Sequence, residues 1–314
     1  MQKMHSATGL IGDPEALRKQ FSRDGYVYLE GVLDIDVITG IRREMDRLLV
    51  EYGFARLTDN GDPRFTGKTT ERSAIRSPRE LEAEYNRLGL ATRIIEHPVH
   101  QDLFRAVAGE EVDFLPITEY RTRPPGNEPL VWHQDGFYNR GLDLYTAWIP
   151  LTTMTEEIGG LAVAEGLHQG GYLHESYPPP RYLIDAEDIP NDAQRTVQFE
   201  PGDILIFDRR LPHTGLPNSS ADSFRFSVDM RFQTRSNRDR IVLGQVCDHS
   251  VDSLTIQTDG GENVTLSIGP ESTVRDWWGN DIPTDEIAGS PLTEGTVLAS
   301  HLDRNLILVR PVTQ

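Results

Sequence analysis

Cysteine is almost missing from this chain. Cys247 is the only one in 314 residues, so no intrachain disulfide can form and no cysteine-rich zinc site exists. Long apolar runs are missing too: nothing reaches the roughly 18 consecutive apolar residues that a membrane-spanning helix needs. The first 20 residues hold no apolar stretch flanked by positive charge, so no secretory leader is expected and the cytoplasm is the expected location. Positive charge is in deficit, with 31 basic against 49 acidic residues and a net charge of −18. Such a surface repels nucleic-acid phosphates and anionic membranes, which leaves a small molecule as the expected partner.

The length allows one large domain with a real core plus a small appendix. Asp13-Pro14-Glu15 reads as a helix N-cap followed by proline in the first turn, and residues 36–50 place Val37, Ile38, Ile41, Met45, Leu48 and Leu49 at helical spacing. Residues 25–33 between them read as a strand. Residues 80–95 and 97–107 each read as one further helix. From residue 115 to 232, short β-rich runs alternate with Pro and Gly clusters, as in an antiparallel sandwich or barrel. The expected class is therefore mainly β (α+β), a double-stranded β-helix with N-terminal helices packed outside it.

Two stretches break the pattern. Residues 52–76 lack a period, and a loop of that length in a compact domain suggests a lid over a substrate. Residues 173–195, with Tyr177-Pro178-Pro179-Pro180, form a second candidate cover, with a plain surface excursion as the alternative. A charged stretch at 235–239 marks a boundary between an expected domain at 1–236 and another at 237–314. In the second, residues 241–246, 253–257, 263–268, 295–300 and 305–309 read as five short strands of a small β-barrel or sandwich. That part is expected to brace the main domain, to form a homodimer, or to cover the site mouth with Trp277 and Trp278.

The chemistry concentrates in Trp132-His133-Gln134-Asp135 and in a lone His213 beyond the turn Pro201-Gly202-Asp203. Residues i and i+2 of a strand share a face, so His133 and Asp135 are expected to hold one metal ion that His213 completes. Two imidazoles and one carboxylate leave one side of the metal open, which suits non-haem Fe(II) chemistry with an oxo-acid and dioxygen. Further on, Phe224, Phe226, Val228, Met230 and Phe232 alternate with Arg225, Ser227, Asp229 and Arg231. A half-buried strand with its arginines in water has the same pattern. Arg225 follows His213 by 12 residues, about a loop and a returning strand. There its guanidinium can pair with the far carboxylate of a dicarboxylate such as 2-oxoglutarate, with Ser227 as a second donor.

Taken in order, these segments resemble the phytanoyl-CoA dioxygenase-like (PhyH) branch of the Fe(II)/2-oxoglutarate-dependent oxygenases, over about residues 15–235. The resemblance is carried by Phe21-Ser22-Arg23-Asp24-Gly25-Tyr26-Val27, Arg123-Pro124-Pro125-Gly126, the His133 segment and Trp148-Ile149-Pro150-Leu151. It continues through Gly159-Gly160-Leu161, Gly166-Leu167-His168, residues 199–207, His213, Asn218 and Arg225-Phe226-Ser227. It implies that His133, Asp135 and His213 hold the iron, that Arg225 and Ser227 anchor 2-oxoglutarate, and that Trp148 lines that pocket, a plain core aromatic being the alternative. It also implies a dioxygenase that consumes O2, releases succinate and CO2, and hydroxylates a C–H bond of a small molecule. Desaturation, cyclisation, epimerisation and endoperoxide formation start from the same cofactors.

The chain departs from the family pattern where Leu167 stands for serine, Ile158 for asparagine, and Gly215, beside Thr214, for serine. His168 is expected to stabilise a turn. Arg121, Phe137 and Tyr138 flank the metal strand and are candidates for substrate contact. Two rival readings are a silent metal-binding β-helix protein and a zinc hydrolase or isomerase of cupin type. The Arg225-x-Ser227 clamp argues against the first, and dependence on 2-oxoglutarate separates the second.

Overall fold

The computed structural model describes residues 1–67, 77–126, 131–176, 184–276, 281–287, 290–293 and 295–312. Two sheets face one another. One has the strand order Tyr26–Leu29, Ile204–Asp208, Leu144–Pro150, Arg225–Thr234, Val112–Arg123, all antiparallel. In the other, Leu161–Ala164 lies between Gln194–Thr196 and His213–Gly215, and Gln2–Lys3 adds a parallel edge. Tyr28, Trp148, Leu161, Val163, Phe199, Leu205 and Phe207 fill the space between them. The result is a mainly β, cupin-like fold.

Helices cover the outer face of the larger sheet. Pro14–Asp24 starts at Asp13, whose carboxylate accepts from the Ala16 amide at 3.1 Å, and ends at Gly25 with φ +84°. Glycine is required there twice over: the φ is left-handed, and a Cβ would sit 2.5 Å from Nδ1 of His168. His168 in turn reaches the Ser22 carbonyl through Nε2 at 3.1 Å, the turn-holding role expected of it. Helix Ile35–Glu51 buries Ile38, Ile41, Met45, Leu48 and Leu49 against Val228, Met230 and other residues of the sheet, as its periodicity predicts.

Two local expectations need correction. Residues 80–95 are not one helix but a turn, Pro78–Leu81, followed by Glu82–Arg87 and Thr92–Ile95. Gly89, at φ +60°, breaks the run, because the left-handed conformation cannot continue a right-handed helix. Residues 52–76 are not wholly irregular, since Ala55–Leu57 pairs with Pro63–Phe65 in a short hairpin. Residues 68–76 lie outside the described residues, as do Tyr177-Pro178-Pro179-Pro180, Trp277 and Trp278.

After the turn Arg235–Arg240, the strands Ile241–His249, Ser253–Gln257, Asn263–Ser267, Thr296–Leu302 and Asn305–Pro311 follow where five were expected, with the short Thr273–Val274 in addition. Asn263–Ser267 pairs with Ser253–Gln257 and, through Ser267 and Asn305, with Asn305–Pro311. Leu254, Ile256, Leu266, Val297, Ala299 and Val309 form its own core. A separate apolar cluster joins it to the main body, with Leu115, Ile117, Leu142 and Leu144 meeting Ile241, Leu298 and Val312.

Candidate metal centre

His133 and His213 are direct cross-strand partners. Each amide donates to the other's carbonyl, at 3.0 and 2.9 Å, and the ring centroids lie 4.2 Å apart. Both rings use Nδ1 for a backbone carbonyl, Val131 at 2.9 Å and Leu211 at 3.0 Å. That bond fixes the tautomer and leaves the Nε2 lone pairs free for a metal.

Asp135 reaches the same point by a route the strand pattern did not predict. The chain leaves the extended conformation after Gln134, and Asp135 opens a single helical turn, Asp135–Tyr138. The i, i+2 argument for a shared strand face is therefore corrected: a turn, not the pleat, brings in the carboxylate. The next residue is glycine, and a Cβ at Gly136 would force the Tyr172 hydroxyl aside and crowd the Arg209 side chain at 3.0 Å. Asp135 Oδ1 lies 3.9 Å from Nε2 of His133 and 3.7 Å from Nε2 of His213, and the three ligand atoms lie within 4.8 Å of one another.

The other carboxylate oxygen is fully occupied. Oδ2 of Asp135 accepts from Thr146 Oγ1 at 2.6 Å and from Arg231 Nη2 at 3.1 Å. Burial by itself would raise the Asp135 pKa, but Arg231 above all, with the two imidazoles and the Thr146 bond, holds it well below the usual carboxylate range. Burial pushes both histidines the other way, His213 down to about 3. At neutral pH the site presents two neutral imidazoles and one carboxylate, the donor set that suits Fe(II). The side chain of His133 keeps 19% exposure against 6% for Asp135 and His213, so access is from the His133 side.

Beside these ligands lies a small cavity lined by Arg121, Thr146, Trp148, Leu161, Phe207, Arg225, Asp229 and Arg231. The charged face of the Arg225–Thr234 strand is not in water. It is turned between the sheets, and its residues Arg225, Ser227, Asp229 and Arg231 are at most 7% exposed. Arg225 donates through Nη1 to the carbonyls of Leu216 at 2.7 Å and Gly160 at 3.2 Å, which aims the guanidinium. Its Nε and the Ser227 hydroxyl are buried without a partner. Unpaired buried donors are costly, and two of them at residues i and i+2 on one strand face fit the carboxylate of a ligand. Burial, together with neighbouring Arg123, lowers the Arg225 pKa to about 10, so it stays charged at neutral pH.

Among the remaining candidates, Trp148 lines the cavity and packs edge-on against Phe199 at 4.7 Å. Arg121 also lines it, but its guanidinium pairs with Asp229 at 3.0 Å and with Glu119. The ring of Phe137 turns away from the cavity and stacks on His174 at 4.3 Å. Tyr138 meets His133 edge-on at 6.4 Å, on the accessible side. Sequence reasoning missed Thr146, whose only signal was a place two residues before Trp148. It also missed Gln134, fully buried between the ligands, whose amide group spans the Gly171 and Arg210 carbonyls and the Leu173 amide. Arg231 was visible as part of an alternating face, but nothing marked it as the partner of Asp135.

Residues 21–227 match the family model of phytanoyl-CoA dioxygenase (PhyH). The 1-deoxypentalenic acid 11-beta-hydroxylase of Streptomyces exfoliatus is 33% identical over 251 residues, covering 73% of this chain and 84% of the relative. The Fe(II)/2-oxoglutarate-dependent dioxygenase nvfF of Aspergillus novofumigatus is 26% identical over 229 residues, covering 69% of this chain and 70% of the relative. The crystal structure of SnoK, a non-heme alpha ketoglutarate dependent carbocyclase from nogalamycin biosynthesis, covers 74% of this chain and 87% of its own at 18% identity and TM-score 0.50, a likeness of fold. The chain belongs to the phytanoyl-CoA dioxygenase family, and it is an iron- and 2-oxoglutarate-dependent oxidoreductase that acts on a small molecule.

Proposed function

We propose that the protein hydroxylates an unactivated C–H bond of a small natural-product intermediate, with His133, Asp135 and His213 as the iron ligands and Arg225 and Ser227 as the 2-oxoglutarate anchor. The observation that carries this reading is the pairing of a three-ligand cluster with Arg225, whose buried Nε is unsatisfied, in the same cavity, and with the equally unsatisfied Ser227 Oγ two residues along the same strand. Iron with 2-oxoglutarate and dioxygen supplies an oxidant able to replace hydrogen by hydroxyl, with succinate and carbon dioxide as coproducts.

The chain's own part is positioning. Arg225 and Ser227 hold the far carboxylate of the cosubstrate, so its oxo-acid end faces the cluster. Thr146 and Arg231 keep Oδ2 of Asp135 occupied and present Oδ1 inward. Trp148, Leu161 and Phe207 form an apolar wall that excludes water from the reacting centre. Tyr138 and Arg121 are the side chains we assign to the substrate side, and Phe137 packs edge-on against Tyr138 at 5.4 Å. The 11-beta-hydroxylation named for the Streptomyces relative makes a small carboxylic acid of natural-product type the first substrate class to try. Residues 1–236 are read as the oxygenase domain and 237–314 as a small closed β-barrel.

Anaerobic addition of 2-oxoglutarate to the Fe(II)-loaded protein tests the assignment. A weak visible charge-transfer band that needs both components and fades in Arg225→Ala is the expected result. Correctly metallated protein without such a band would remove the cosubstrate from the reading. Product mass then tests the chemistry, because hydroxylation adds one oxygen whereas desaturation removes two hydrogens.

A further inference from the structure

The turn that carries Asp135 is too short to hold itself. Asp135–Tyr138 is one helical turn of four residues, and isolated turns of that length are not stable in water. Within the oxygenase body it is tied by the Gly136 amide to the Arg209 carbonyl at 2.8 Å, and just beyond it Arg209 donates to the Leu142 carbonyl at 3.2 Å. Thr146 and Arg231 hold the Asp135 carboxylate and His174 stacks on Phe137, and a further set of ties comes from the C-terminal strands, outside the segment that matches the family model.

Arg275 donates through Nη1 to the Phe137 carbonyl at 3.1 Å, and Ser300 Oγ donates to the Arg140 carbonyl at 2.8 Å. Arg310 Nη1 donates to Asn139 Oδ1 at 2.9 Å, and the same amide group returns Nδ2 to the Asp135 carbonyl at 2.8 Å. The approach is close: a Cβ at Gly141, whose φ is +78°, would lie 2.7 Å from Ser300 Oγ and 2.9 Å from Ile307 Cγ2. The Leu142 and Leu144 side chains continue the contact as an apolar seam with Leu298 and Val312. Burial, with Arg231 and Arg275 nearby, lowers the Arg310 pKa to about 10, so this guanidinium stays charged at neutral pH.

We infer that the C-terminal strands tune the metal site, with Arg310 acting through Asn139, and Arg275 through the Phe137 carbonyl, as positioning residues for the Asp135 carboxylate. This inference rests on the iron reading above and adds to it a structural partner for one ligand. Partners that orient a metal ligand typically change metal affinity by about 10- to 100-fold when removed.

The test is a Co(II) titration of the whole chain, read by affinity and by the visible d–d spectrum, in wild type, Arg310→Met, Arg310→Lys, Asn139→Ala and the Arg310→Met/Asn139→Ala double variant. Arg310→Met should lose about tenfold in Co(II) affinity with an altered spectrum. Arg310→Lys should recover part of that loss. The double variant should lose little more than either single one, because both act on one link. Arg238→Met, which breaks an exposed pair with Asp113 at the same junction, should leave affinity unchanged. Should Arg310→Met fail to fold, Asn139→Ala leaves the C-terminal strands intact and carries the same expectation. Wild-type affinity and spectrum in the folded variants would overturn the inference while the iron reading stands. No Co(II) binding by wild type would overturn both.

Discussion

The two ends of one strand, Arg225–Thr234, are built on opposite principles. At its C-terminal half the charge of Arg231 is answered by Asp135, Thr146 completes that carboxylate, and Arg231 also approaches Glu119 at 3.8 Å, while Arg231 Nε and Asp229 Oδ1 remain buried without a partner. At its start, Arg225 Nε and Ser227 Oγ are buried with no partner. A protein interior tolerates unpaired polar groups only where something else compensates them. The end saturated in charge holds the Asp135 carboxylate in place. The unsaturated end is the one we propose as the 2-oxoglutarate anchor.

Breaking the ligand set should have the largest effect. His213→Ala is expected to weaken Fe(II) or Co(II) binding at least a hundredfold and to abolish succinate formation; calorimetric titration reads the first and coupled assay the second. Next comes the unsaturated end. Arg225→Ala should raise the KM for 2-oxoglutarate by roughly a hundredfold, equivalent to about 3 kcal/mol for a buried charge-assisted pair, with metal affinity almost untouched. If metal affinity fell in step with cosubstrate affinity, the two ends would not be separate devices.

At the saturated end, Arg231→Met should reverse that pattern, with metal affinity lower by about 10- to 100-fold. Ser227→Ala sharpens the contrast with a smaller effect. About 1 kcal/mol, or roughly fivefold, of 2-oxoglutarate binding should be lost. The metal-free protein should become no less stable, because the deleted hydroxyl has no partner there. Chemical denaturation of the metal-free protein measures this directly.

A separate effect concerns pH. His213 has its pKa lowered from 6.5 to about 3, so between those values the unfolded chain binds more protons than the folded one. Stability of the metal-free protein is then complete above about pH 6.5 and declines as pH falls toward 3. Denaturation midpoints at pH 7, 6 and 5 should fall in that order, and His213→Gln should flatten the trend.

Much of this was legible in the residue order because it is local. The Asp13 cap, the helix over Ile38 to Leu49, the run of short β segments and the five C-terminal strands follow from caps, periods and turn residues acting on their neighbours. The His133, Asp135 and His213 trio and the Arg225-x-Ser227 spacing were readable for a related reason: few functions place those side chains at those intervals. Where local cues were read too simply, geometry corrected them. Gly89 divides what looked like one helix, and Asp135 arrives on a turn instead of a strand.

The rest is decided by chain segments that meet only in three dimensions. An alternating strand with arginines on one face is equally consistent with water or with a buried cleft. Here a second sheet covers that face, so Arg231 meets the Asp135 carboxylate and Arg225 is buried at the position proposed for the cosubstrate anchor. Thr146 touches Asp135 across 11 residues, Arg231 across 96, and Arg310 meets Asn139 across 171. No pattern of spacing marks such partners. Hydrogen bonds between distant residues form only after the hydrophobic core has brought the strands together, so the chemistry can be read from composition and order but its tuning exists only in the fold.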